Sequence, residues 1–220
     1  MSLPSPIAID GPSASGKSTV ARELARRFGY VVIDTGMTYR AFTAVALDRG
    51  VAAEDTAACA SLAATIDLSL EDEQVFVDGV DLTERLREPA VEAAVSAYSA
   101  IPAVRDAMVR VQREASDVPL CVAVGRDMGT EVFPEAPLKF FLNATQEARA
   151  SRRSKQAGTW GQEQDATEAG RDIKRRDRID TTRAASPLRP ARDAIVIDTT
   201  DLTEQELLDQ VIARVSAWVA

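Results

Sequence analysis

The stretch Gly11-Pro12-Ser13-Ala14-Ser15-Gly16-Lys17-Ser18 constrains this chain more than any other. It has the spacing Gly-x-x-x-x-Gly-Lys-Ser, and its neighbours give that spacing meaning. Before it, Pro6-Ile7-Ala8-Ile9-Asp10 reads as a short buried strand. After it, Val20, Ala21, Leu24, Ala25 and Phe28 recur at helical spacing until Gly29 ends the pattern. A strand that turns through glycines into a helix points backbone N–H groups inward, at the positive end of the helix dipole. Such a cradle holds the phosphates of a nucleoside triphosphate. The residues expected around ATP are Gly11, Pro12, Ser13, Ala14, Ser15, Gly16, Lys17, Ser18 and Thr19. Lys17 would reach the β- and γ-phosphates, and the Ser18 hydroxyl would coordinate Mg²⁺. The plainer reading, a Gly- and Ser-rich surface turn, leaves the flanking strand and helix unexplained.

The rest of the chain alternates strand and helix. Further parallel strands are expected at 30–33, 120–124, 138–142 and 194–197. Helices are expected near 37–48, 55–65, 84–98, 102–116, 145–157, 165–183 and 202–218, with a loop over 158–164. Residues 66–82 differ: Leu68, Leu70, Val75, Val77, Val80 and Leu82 alternate with polar residues around Asp78-Gly79, which predicts a small antiparallel sheet with a hairpin turn. The fold class is therefore α/β, a P-loop NTPase-type five-stranded parallel sheet flanked by helices. It carries a small antiparallel β-containing insert and a helical, arginine-rich lid. Residues 1–220 form one domain. Its core takes 5–50, 117–150 and 184–220, with an insert at about 51–116 and a lid at about 151–183.

Composition narrows the chemistry. A chain of 220 residues buries roughly 70% of its unfolded surface and needs no staple. There is no histidine, which removes Ser-His-Asp and Cys-His triads, His-ligated zinc and imidazole acid–base catalysis. Two cysteines, Cys59 and Cys121, are too few for a zinc site or a disulfide framework. No run of 18 apolar residues occurs, and the start lacks a basic patch followed by an apolar stretch, so neither a membrane span nor a secretory signal is expected. A cytoplasmic location follows as an expectation. The net charge of −8 argues against a nucleic-acid partner. Yet residues 149–192 hold 12 Lys and Arg against 6 Asp and Glu. Such a run reads either as a solvated helix face laced with ion pairs or as a set of phosphate-gripping arginines.

The cradle fixes only the triphosphate end. A GTPase would need Asn-Lys-x-Asp, but the single asparagine, Asn143, is followed by Ala, and no Asp has Gly three residues later. Transport and motor ATPases need a water-activating carboxylate and partner contacts that the chain does not display. A small-molecule kinase fits the length and the late arginines. Ligands of open α/β sheets bind at the carboxyl ends of the strands. Three polar groups fall there: Asp34-Thr35-Gly36 with Tyr39-Arg40, then Gly125-Arg126-Asp127-Met128-Gly129, then Arg176-Asp177-Arg178-Ile179-Asp180-Thr181-Thr182-Arg183. Singly, each could be an ordinary ion pair at a strand end; together they face the cradle.

With these residues the chain resembles the bacterial-type cytidylate kinases, from Ile7 to about Val215. The motifs shared are Ile9-Asp10-Gly11-Pro12, Asp34-Thr35-Gly36 with Tyr39-Arg40, Pro102-x-Val104-Arg105, Gly125-Arg126-Asp127-Met128-Gly129-Thr130 with Val132-Phe133-Pro134, Arg176-Asp177 with Asp180 and Arg183, Ser186-Pro187-Leu188, and Asp193-Ala194 with Ile197-Asp198-Thr199. The resemblance implies transfer of the γ-phosphoryl group of ATP to CMP or dCMP, with Mg²⁺. It places Arg40 and Arg126 on the CMP phosphate, Thr35, Arg105, Asp127 and Arg183 around cytosine, and Ser96, Arg176 and Asp180 near the sugar. Arg152 and Arg153, with Lys155, look like lid cations that stabilise the transferring group, so the catalytic set is Lys17, Arg126, Arg152 and Arg153. A carboxylate accepts from the cytosine 4-amino group and repels the uracil O4, which favours CMP over UMP. The resemblance also implies a monomer with only small-molecule nucleotides as partners. A kinase for another monophosphate, UMP first, and an inactive nucleotide-binding regulator are the competing readings. The chain departs from the family pattern at Met37-Thr38, where Ala-Met or Ala-Ile is usual, and over 158–170.

Overall fold

The structure is a computed structural model that describes residues 2–71, 73–159 and 165–219. Strand β1 (Ile7–Asp10) leads into helix α1 (Lys17–Phe28), then β2 (Val31–Asp34), α2 (Thr35–Asp48) and α3 (Thr56–Thr65). Three short strands follow, β3 (Leu68–Glu71), β4 (Gln74–Val77) and β5 (Val80–Asp81). After a 3₁₀ turn at Thr83–Arg87 come α4 (Pro89–Tyr98) and α5 (Pro102–Ala115). Strand β6 (Cys121–Gly125), a π-helical turn at Met128–Val132, β7 (Leu138–Asn143), α6 (Gln146–Thr159), α7 (Ala166–Thr182), β8 (Ile195–Asp198) and α8 (Glu204–Val219) complete the chain.

The five-stranded sheet has the order β2-β6-β1-β7-β8 with every pairing parallel. Its central strands are apolar runs because both faces are covered: Ile7, Ala8 and Ile9 are wholly buried, as are Val122 and Ala123. The chain lays β2 and β6 on one side of β1 and β7 and β8 on the other, so β1 sits where the strand order reverses. The register pairs Asp10 with Gly125 and with Phe141, and Asp34 with Val124. The carboxyl ends of β1, β2 and β6 therefore finish level, at the crevice where such sheets bind ligands.

A second core lies under the antiparallel sheet. Leu68 pairs with Val77 and Leu70 with Val75, and the alternation turns Leu68, Val75 and Val77 onto Phe42 of α2 and Met108 of α5. The hairpin between β4 and β5 closes through Asp78 at φ 50° and Gly79 at φ 77°, the two left-handed residues that a tight hairpin needs.

Three local features differ from the sequence expectation. The single helix expected over 84–98 is a 3₁₀ turn and then α4, because Pro89 holds Glu88 extended at ψ 136°. Helix α2 begins directly at Thr35, since the Asp34 carboxylate accepts from the Gly36 N–H at 3.0 Å. The turn at Met128–Val132 has no apolar period to announce it; it is organised by the Asp127 carbonyl, which accepts from Glu131 and Val132. Of the loop expected over 158–164, Gly158 and Thr159 belong to α6 and 160–164 lie outside the described residues. Among the described residues no helix is long and apolar enough to cross a membrane.

Candidate active site

The turn between β1 and α1 is shaped by what its glycines permit. Gly11 has φ +147°, and a Cβ there would stand 2.1 Å from the Leu142 carbonyl oxygen. Gly16, at φ +99°, precedes α1 without any side-chain cap, and α1 has no acidic residue in its first turn. That helix end is thus open to an anion. Ser15 is wholly buried, and its Oγ has no hydrogen-bond partner among the described residues. The Lys17 ammonium donates to the Pro12 carbonyl at 2.7 Å, folding back over the turn. Burial, and next the charge of Arg126, lower Lys17 well below the usual lysine range. An uncapped helix end, a buried unpaired hydroxyl and a disfavoured ammonium all gain from the arrival of phosphate oxygens. These residues fit a metal-bound triphosphate.

Asp10 ties this turn to the end of β6. Its two carboxylate oxygens accept from the N–H groups of Met128 at 2.7 Å and Gly129 at 2.8 Å. Burial pushes its carboxyl up to about 6, against the pull of those two bonds. Thr35 donates from Oγ1 to the Val124 carbonyl at 2.8 Å, and a Cβ on Gly125 would meet that hydroxyl at 2.7 Å. A glycine at the end of β6 therefore lets β2 and β6 close on one another.

At the carboxyl end of β6, Asp127 lies between two arginines. Arg105 donates to its Oδ2, and Arg183 Nη2 stands 3.7 Å from its Oδ1. All three are buried, with Asp127 and Arg105 each 2% exposed. The Arg105 guanidinium also lies over the Tyr39 ring at 5.2 Å and donates to the Ser99 carbonyl. Its Nε and the Arg183 Nη2 have no hydrogen-bond partner among the described residues. This is a fork of donors around one carboxylate, the complement of a planar heterocycle that carries both an amino group and ring acceptors. Beside it, Arg126 donates from Nε to Asp180 at 2.9 Å.

A second carboxylate gathers the remaining arginines. Glu92, on α4, accepts from Arg40 at 2.9 Å, Arg153 at 2.7 Å and Arg176 at 2.6 Å. Burial works to raise its pKa, but the charges of Arg40, Arg176 and Arg153 outweigh burial and hold the carboxyl down at about 2.

One cleft of about 370 Å³ joins the two ends. Ser13 to Thr19 line it on one side, and Thr35, Arg40, Ser96, Arg105, Arg126, Asp127, Arg153, Arg176, Asp180 and Arg183 on the other. Gly11 and Pro12 form the base of the turn rather than the wall. Of the two arginines expected in a lid, Arg153 lines the cleft, whereas Arg152 donates to the hydroxyl and carbonyl of Thr199. Nothing in the sequence assigns a role to Glu92, or to Arg149, which is 3% exposed, makes a two-armed ion pair with Asp177 and donates to the Ser13 carbonyl. Glu92 sits in no motif. Arg149 opens the basic stretch, and its helical spacing from Arg152 and Arg153 was its only signal.

The sequence profile of the cytidylate kinase family matches residues 7–217. A curated cytidylate kinase of Caldanaerobacter subterraneus subsp. tengcongensis is 45% identical over 205 residues, covering 93% of this chain and 92% of that one. One from Pelotomaculum thermopropionicum is 44% identical over 216 residues, 96% of each. A solved structure of an uncharacterized protein from Eubacterium ventriosum shares the fold at TM-score 0.51 and 15% identity, covering 96% of this chain and 97% of that one. On the family match and the identity over nearly its whole length, this chain belongs to the cytidylate kinase family and is a phosphotransferase.

Proposed function

We propose that the two ends of the cleft bind ATP and CMP or dCMP, and that the γ-phosphoryl group passes directly between them to give ADP and CDP or dCDP. The observation that carries this reading is the continuity of the cleft: the glycine cradle and the Arg105–Asp127–Arg183 fork line one space. Ser13 to Thr19 would hold the triphosphate, with Lys17 leaving the Pro12 carbonyl for the β- and γ-phosphates. Ser18 would hold Mg²⁺ together with those phosphates, the metal neutralising charge that develops on the transferring group. Arg40 and Arg126 would take the acceptor phosphate in charge-assisted bonds. Thr35, Arg105, Asp127 and Arg183 would line the cytosine pocket, with Ser96, Arg176 and Asp180 near the sugar.

The chemistry asks little of these side chains beyond placement. An oxygen of the acceptor phosphate forms a bond to the γ-phosphorus as the bond to the β-phosphate oxygen breaks. A phosphate monoester is already largely anionic near neutral pH, so no strong base is needed. That suits a chain with no histidine. Lys17, Arg126 and Arg153 supply positive charge where the equatorial oxygens gather it. Arg152 would join them only by releasing Thr199. Helices α6 and α7 would act as the lid over both nucleotides, excluding water and so suppressing hydrolysis of ATP. The reading also carries a monomeric, cytoplasmic enzyme with small nucleotides as its partners and no nucleic acid or membrane.

The test is to supply ATP labelled in the γ-phosphate together with CMP. Label in the β-phosphate of CDP, lost when EDTA is added, is the expected result. Label released as inorganic phosphate at the same rate with and without CMP would contradict direct transfer.

A further inference from the structure

Arg40, Arg153 and Arg176 come from α2, α6 and α7, far apart in the sequence, and all three meet on the Glu92 carboxylate. Arg176 donates as well to the carbonyl of Glu92 itself. The Glu92 side chain is 12% exposed, so the cluster is screened from water. Three like charges held this close repel one another strongly in a site of low polarity. Arg87 adds a fourth charge to the neighbourhood of Arg40 and Glu92. Glu92 is the carboxylate on which all three meet, and Asp34 adds negative charge beside Arg40 and Arg87.

The manner of contact matters more than the count. Glu92 takes Arg40 through Nε alone. The two terminal nitrogens of Arg40 make no hydrogen bond among the described residues, and Arg40 lines the cleft. A competing anion would sit across the fork; Glu92 instead grips the guanidinium by its edge and leaves the fork for a phosphate. Its other oxygen receives Arg153, from α6, and Arg176, from α7.

We propose that Glu92 is a positioning residue for phosphoryl transfer: it joins the acceptor-phosphate arginine of α2 to the arginines of the α6–α7 pair, and so fixes the two groups of charge relative to each other. This rests on the proposed roles of Arg40 at the acceptor phosphate and Arg153 at the transferring group. Glu92 touches neither nucleotide; it acts through the arginines. With α6 and α7 placed as they are here, Arg153 stands in register with Arg40 through one shared carboxylate.

The experiment is steady-state kinetics of Glu92→Ala and Glu92→Gln, with and without added acetate, beside Arg40→Ala. Misplacement by about an ångström costs roughly 100-fold in rate, so Glu92→Ala is expected to lose ~10- to 100-fold in kcat, with KM for ATP within about twofold of the parent. Glu92→Gln keeps an acceptor oxygen and should recover part of that loss. Acetate should restore Glu92→Ala severalfold by filling the vacated carboxylate position, and leave the parent unchanged. A kcat for Glu92→Ala near that of the parent would overturn the proposal. So would a loss that neither glutamine nor acetate recovers, which is the mark of a fold defect. A lower KM for CMP at unchanged kcat would overturn it too, making Glu92 a competitor of the substrate. Arg40→Ala separates the two readings: a raised KM for CMP upholds the acceptor role of Arg40, and an unchanged one sinks that role while the Glu92 variants are judged on kcat and rescue.

Discussion

Arg126 donates from Nε to Asp180 at 2.9 Å, so a residue just after β6 is tied to α7 across the mouth of the cleft. The Asp180 side chain is 8% exposed and that of Arg126 is 25% exposed, so the pair is only partly screened by water. Asp180→Asn keeps the shape but removes the charge that orients Arg126. The expected outcome is a rise of about tenfold in KM for CMP, with KM for ATP little changed, read by initial rates at saturating ATP. Equal rises for both nucleotides would mean that the pair only supports the fold.

Lys17 should be expendable for folding and indispensable for turnover. Its folded-state pKa is lowered, first by burial and then by Arg126, so the charged ammonium disfavours the folded chain at neutral pH. Lys17→Met is therefore expected to resist urea at least as well as the parent at pH 7, while kcat falls by ~10²- to 10³-fold. Unfolding at lower urea would show that the bond to the Pro12 carbonyl outweighs the cost of burying the charge.

Asp127 should set the choice of base. It is held between Arg105 and Arg183, and replacing it by alanine would take the shared carboxylate from two buried guanidiniums, a change that typically costs ~3–5 kcal/mol. Asp127→Asn is the better probe because it keeps the volume. Its amide would point a donor where the cytosine 4-amino group also donates. The expected result is a loss of ~10²-fold or more in kcat/KM for CMP and a much smaller change for UMP, so that the preference collapses. A preference for CMP that survives the substitution would place base selection elsewhere.

How much of this was legible in the sequence depends on whether a residue acts locally. The cradle was legible because Gly11, Gly16 and Lys17 lie in one turn, and their spacing is the geometry. The hairpin at Asp78-Gly79 was legible for the same reason. The π-helical turn after Asp127 was not, since a five-residue turn held by one carbonyl has no period to detect. Glu92 was hidden for a different reason. On its own helix it reads as a surface glutamate, and only the packing of α2, α6 and α7 brings three arginines to it. Arg153 could be told from Arg152 only in three dimensions, because adjacent helical residues point about a quarter-turn apart, one here to the cleft and the other to Thr199.

Asp10 makes a pH-dependent contribution of definite sign. Its carboxyl is raised from 3.8 to about 6 in the folded chain, chiefly by burial. The folded state therefore holds a proton on Asp10 between those two values more often than the unfolded state does, and stability contributed by this group is lost as pH rises through the window. The loss sets in above the ordinary carboxylate range and runs on through about pH 6. The difference in unfolding free energy between the parent and Asp10→Asn should thus shift against the parent from pH 4 to pH 7. A difference independent of pH would mean that the N–H groups of Met128 and Gly129 keep Asp10 ionised throughout.

The most direct test of the account is the rate of ADP release from Mg²⁺-ATP with CMP, dCMP, UMP, AMP and GMP offered in parallel. The fork around Asp127 predicts rapid turnover with CMP and dCMP, weak turnover with UMP, and little with the purine monophosphates. UMP turned over as well as CMP would leave the glycine cradle as the site of ATP and contradict the base pocket assigned to Arg105, Asp127 and Arg183.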